Sequence, residues 1–208
     1  MVEFKLLGIP VRVEAIFWIT LGLLGFIGIG IEGNGLLLIA LFVLAGFISI
    51  LIHEMGHALM IRKYGLPTQV VLAAFGGYAQ YPAGYLTRKQ DFLVTLAGPA
   101  SQLLCGLGVF FALPYLQLPN NLVNEFLWFF LFVSIFWSVL NCLPVLPLDG
   151  GRMLAAIMGP RRLRQVLMVS IVTAVAVALF AVFMQAMFGA ILMGMFAYQN
   201  IQDLKRVP

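Results

Sequence analysis

Apolar residues in this chain come in long, nearly unbroken runs, without the alternation of a half-buried strand or the stripe of a surface helix. Residues 15–31, 36–61, 92–113 and 125–143 hold few charges, and a helix crossing the hydrocarbon core of a bilayer needs about 20 such residues. Residues 166–200 continue the pattern, as one long tilted helix or as two shorter ones turning near 185–189. The runs are separated by Glu32-Gly33-Asn34-Gly35, a turn signal, by a loop at 114–124, and by a proline-broken segment at 144–151. Residues 62–91 are the longest stretch that does not read as a span. Within it, β-branched and aromatic residues at 69–81 surround Gly76-Gly77 and predict one or two short strands dipping toward the bilayer and packed on protein. Residues 1–14 alternate apolar and polar near 9–14, which suits a short extended segment at the membrane surface. The predicted fold is an all-α polytopic membrane protein of about six transmembrane helices, with a short membrane-dipping β element between the second and third.

Composition agrees. Of 208 residues, 62% are hydrophobic and 10% charged, with a mean hydropathy of +1.05, whereas a soluble domain is about a quarter charged. One membrane-embedded domain over 1–208 is expected, with a surface segment at 1–14, a core at 36–152 and C-terminal helices at 163–203. The net charge of +4 is no nucleic-acid footprint, because the twelve Lys and Arg cluster at the ends of the apolar runs. With six spans all twelve fall on one face, and Glu32 and Glu125 on the other; with five, Lys205 and Arg206 would be stranded. The basic loops are therefore expected on the cytoplasmic side. The first run lacks the features of a cleaved secretory signal and is expected to stay as a span. Cys105 and Cys142 are expected to be small buried hydrophobes. Trp18, Trp128 and Trp137 are expected to anchor or pack spans.

The chemistry lies in the second run. The chain's two histidines stand four apart in His53-Glu54-Met55-Gly56-His57. On a helix such a pair shares one face and can close on a single zinc ion, with Glu54 as general base toward an activated water. Ionisable groups at bilayer depth are costly and mark function. His53 would sit about 12 Å from the basic end of its helix. A catalytic zinc takes three protein ligands and keeps one position open, so Asp, Glu or Cys must supply the third. Glu32 and Glu125 fall on the wrong face, Glu3, Glu14 and Asp203 lie near the termini, and Asp91 starts a span, where an acid meets the helix dipole, which leaves Asp149, in Pro147-Leu148-Asp149-Gly150-Gly151-Arg152, as the best candidate. Alone, it reads equally well as the N-cap of a helix beginning near Arg152.

These motifs, in this order and at span-sized intervals, resemble the site-two protease family of intramembrane metalloproteases. They are His-Glu-x-x-His, Ala97-Gly98-Pro99, and Asn141-x-x-Pro144-x-x-Pro147-Leu148-Asp149-Gly150, and the likeness runs from about Lys5 to Arg152. The resemblance implies one Zn2+ per chain held by His53, His57 and Asp149, with Glu54 activating water. It implies that the Phe75-Gly76-Gly77 stretch, with Tyr78, pairs with substrate backbone; Asn141 and Pro144 are further candidates for substrate contact, Asn141 equally a structural amide. Gln102 stands where relatives commonly carry Asn, and Glu14 where they often carry His. No PDZ or nucleotide-sensing module is expected. The implied partners are a transmembrane protein substrate and the lipid bilayer, with no nucleic acid. The main rival is a non-enzymatic metal-binding membrane protein or metal transporter, which explains the histidines but not Glu54. Another class of membrane peptidase with this motif would need a later glutamate, and Glu125 alone is available, on the opposite face. A catalytically dead scaffold is the third rival.

Overall fold

The computed structural model describes residues 1–74, 76–116 and 121–207; Phe75 and part of the 114–124 loop lie outside the described residues. The elements run β1 (Val2–Leu6), β2 (Ile9–Val13), α1 (Ala15–Ile29), α2 (Gly35–Lys63), β3 (Gln69–Ala73), β4 (Gly76–Gln80), α3 (Arg88–Ala112), α4 (Asn121–Asn141), α5 (Asp149–Met158), α6 (Leu163–Phe183) and α7 (Met187–Arg206). They fall into two compact units, one of residues 1–85 and 97–138, the other of 86–96 and 139–208. Four helical segments are long and apolar enough to cross a membrane: Gly35–Lys63, Arg88–Tyr115, Asn121–Asn141 and Pro160–Phe183. Ala15–Ile29 is a shorter apolar helix. Large apolar side chains such as Val172, Leu179 and Phe183 are exposed along α6, a surface that suits lipid and not water. This is a multi-pass membrane protein.

In the first unit, the expected strands are part of something larger. The 69–81 region forms a β3–β4 hairpin, and residues 2–13 form a second hairpin instead of a single extended segment. Together they make one sheet in the order β1-β2-β3-β4, with β2 and β3 parallel and Val11 opposite Val70. Leu7 and Gly8 turn the first hairpin with φ of 51° and 78°, the mirror-image geometry that matches strand twist. Alternation then works as it should in β2: Ile9, Val11 and Val13 point inward and pack with Val70 and Leu72 of β3. Beneath them lie Phe17 and Leu21 of α1 and Ile50, Met55 and Ala58 of α2. Thus the sheet rests on the half of α2 that carries the histidines. α1 packs on α2 through small residues, Gly25 against Ile39 and Phe42, and Gly46 against Leu21, the close approach that apolar helices without a hydrophobic driving force between them commonly use.

In the second unit, residues 166–200 form two helices that pack against each other, turning at Gln185, whose φ is 57°. α5 begins at Asp149, three residues earlier than the sequence suggested. Its C-terminus is held by Arg88, which donates hydrogen bonds to the carbonyls of Ala156 and Ile157. The proline-broken stretch before α5 is clamped at Leu146: its N–H donates to Ser170 Oγ at 3.1 Å, and its carbonyl accepts from Asn200 Nδ2 at 2.7 Å. Both clamping residues are fully buried, so the peptide groups of an irregular segment find partners inside protein. The cysteines depart from expectation: both thiols are free and exposed.

Candidate metal centre

The first unit carries both histidines, Glu54 and strand β4. On α2, residues at four-residue spacing share a face, and here that face reads Ser49, His53, His57, all buried. The two imidazoles meet edge to face, with centroids 4.8 Å apart, and the Nε2 atoms are 3.1 Å apart. Two nitrogens bound to one tetrahedral zinc at about 2.0–2.1 Å would lie about 3.3 Å apart, so the pair is already spaced for a shared cation. The other ring nitrogen of His53, Nδ1, lies 2.9 Å from Gln102 Oε1.

Glycines let α3 come this close. A Cβ at Gly56, inside the motif, would strike the Ala97 carbonyl and the Ser101 hydroxyl; one at Gly98 would strike the imidazole of His57. The Ser101 hydroxyl in turn lies 3.2 Å from the carbonyl of Ile52. The Gly56 and Gly98 positions are thus read as contact points between helices, a role the bare motif did not disclose.

Glu54 is buried at 4% exposure, and its side chain lies against β4: a Cβ on Gly77 would come within 2.8 Å of Glu54 Cγ. Strand β4 is the outer strand of the sheet, paired with β3 only among the described residues. Its far edge faces away from the ladder, and Gly76, with φ of 139°, adopts a conformation reserved for glycine. Tyr78 projects outward and is half exposed. Gly76, Gly77 and Tyr78 therefore stand on a strand that touches the glutamate of the motif.

The second unit carries Asp149, Asn141 and Pro144. Asp149 is the first residue of α5, after an N-cap at Leu148. It is not the N-cap itself, because the helix starts earlier than its polar pattern implied. A carboxylate in the first turn meets the positive end of the helix dipole; Arg152 lies 3.9 Å away, one turn on. The side chain is buried. The two glycines that follow have a steric cause: a Cβ at Gly150 would run into the carbonyls of Cys142 and Leu143, and one at Gly151 into the backbone of Val145 and Leu146. The turn at 142–146 lies directly on the start of α5. Asn141 ends α4, and Pro144, half buried, sits in that turn.

Sequence reasoning noted Gln102 only as a departure and missed the serines around it. The signal was present: Ser49 in register with both histidines, and Ser134 and Ser138 four apart on α4. Hydroxyl and amide groups at regular spacing in apolar spans seek one another.

Comparisons with known proteins agree with this layout. The family model described as Peptidase family M50 matches residues 41–119 and 116–186. Zinc metalloprotease MJ0392 of Methanocaldococcus jannaschii is 28% identical over 159 residues, which cover 76% of this chain and 45% of that protein; the chain spans under half the length of this curated relative. The structure of a site-2 protease from the same organism matches with a TM-score of 0.68 at 24% identity, covering 100% of this chain and 96% of that one, a likeness of fold. With most of its length matched by the family model, the chain belongs to peptidase family M50, the site-two protease family.

Proposed function

We propose that this chain is an intramembrane zinc metalloprotease that hydrolyses peptide bonds within or near transmembrane segments of membrane-protein substrates. The observation that carries this reading is the pairing of two imidazoles, turned Nε2 to Nε2, with a buried glutamate pressed against an outer β-strand. Two imidazoles and a carboxylate make a donor set suited to zinc, and His53, His57 and Asp149 supply it, all buried. In this proposal they would hold one ion per chain. When bound, zinc polarises the scissile carbonyl and makes water nucleophilic at neutral pH. Glu54 takes the proton of the attacking water and passes it to the leaving amine. A transmembrane substrate must first unwind, because a helix shields its own amides. Strand β4 offers the unwound segment a backbone partner through Gly76, Gly77 and Tyr78, a strand-addition mode; Asn141 and Pro144 are further candidates for substrate contact. The arrangement has six spans, with basic loops and the site's opening toward the cytoplasm.

Glu54→Gln tests the assignment. Loss of a positioned general base costs about 10²–10⁴-fold in turnover, so cleavage of a single-span reporter in vesicles should fall by that much while zinc content stays near one equivalent. A metal carrier would keep its metal flux in this variant; undiminished cleavage would refute the general-base role.

A further inference from the structure

We infer that Gln102 is a positioning residue that fixes the tautomer of His53, and so selects Nε2 as the nitrogen offered to a metal. The inference rests on the zinc reading above and adds to it the group that prepares the ligand. Gln102 is 0% exposed and lies four residues beyond Gly98, on the α3 face turned toward α2. Its Oε1 is 2.9 Å from His53 Nδ1. A neutral imidazole has one N–H, and an acceptor opposite Nδ1 places the proton there, leaving the Nε2 lone pair directed at His57 Nε2.

The amide is itself held. Gln102 Nε2 donates to Ser49 Oγ at 2.9 Å, and Ser49 Oγ is 2.8 Å from Ser134 Oγ. Ser138 Oγ lies 3.1 Å from Gln102 Oε1 and 2.7 Å from the Ser134 carbonyl, and its single proton is shared between them. Turning the amide over would set its NH2 against an Nδ1 that must then surrender its proton, and would turn the Ser49 hydroxyl into a donor to the amide oxygen. Amide orientation and ring tautomer are therefore one coupled choice. All four polar side chains around the ring are buried, where an unmade hydrogen bond is expensive. Ligand histidines generally depend on such a partner at the second nitrogen.

The test uses the full chain in detergent micelles, with ¹⁵N-labelled histidine. In zinc-free wild-type protein, His53 should give the spectrum of the Nδ1–H tautomer. Gln102→Leu, close in volume but without an acceptor, should lose that preference and weaken zinc binding about 10- to 100-fold in competition with a chromophoric chelator. Ser49→Ala, which frees the amide without removing it, should have an intermediate effect. An Nε2–H spectrum in the wild type overturns the inference without any variant. So does a folded Gln102→Leu protein with unchanged tautomer and zinc affinity. If the wild type shows the Nδ1–H form yet binds no zinc, the metal reading fails and the assignment of Gln102 stands.

Discussion

A methyl group at position 98 would collide with the imidazole of His57, so the spacing of the histidine pair depends on a residue with no polar atom of its own. Gly98→Ala should push that ring off its partner. Overpacking costs about 1–3 kcal/mol, which as misplacement of a ligand is a loss of about 10- to 100-fold in zinc affinity. Chelator competition on the folded variant checks it; unaltered affinity would mean that α3 yields at no cost. Glycines show where sequence reasoning stops at this scale. The histidine spacing declared itself because chemistry fixes it. Gly56, Gly98, Gly150 and Gly151 carry no role in the sequence that their neighbours in it could disclose, and only the atoms that pack against each reveal what it leaves room for. Gln102 was visible as an oddity, but its role needed the two serines of α4 brought beside it.

Among the elements, β4 is the one whose function is most exposed to test. It pairs on one side with β3 and touches Glu54 through Gly77. If substrate adds to its outer edge, Tyr78→Pro or Gln80→Pro should abolish most cleavage of a spanning substrate while leaving zinc content unchanged. Full cleavage with either proline would remove strand addition from the mechanism. Helix positions were legible from hydropathy alone, because bilayer thickness sets their length. Helix starts were less so: α3 begins at Arg88 and α5 at Asp149, both within polar or glycine-bearing sequence where periodicity gives no edge. The strands at 69–80 could be read from their β-branched and aromatic residues. Their partner at 2–13 could not, since a parallel pairing across some sixty residues leaves no local mark.

For the whole molecule, the proposal specifies an orientation in the bilayer. The twelve basic residues lie at the ends of the apolar runs, and the proposal places them together on the cytoplasmic face. Single cysteines introduced at Glu32 and Arg162, in a background with Cys105 and Cys142 replaced by serine, should react with a membrane-impermeant thiol reagent from opposite sides. In intact cells only position 32 should label; labelling of both positions from outside would contradict the six-span arrangement.

The sheet carries one more implication, for anyone shortening this chain. Strand β4 is braced by β3, β3 lies parallel to β2, and β2 turns back on β1. A version trimmed to begin at Ala15 would retain every candidate donor and every long apolar helix, yet it would strip the support from beneath the ledge beside Glu54. Zinc uptake by such a version would say little about whether it can still grip a peptide.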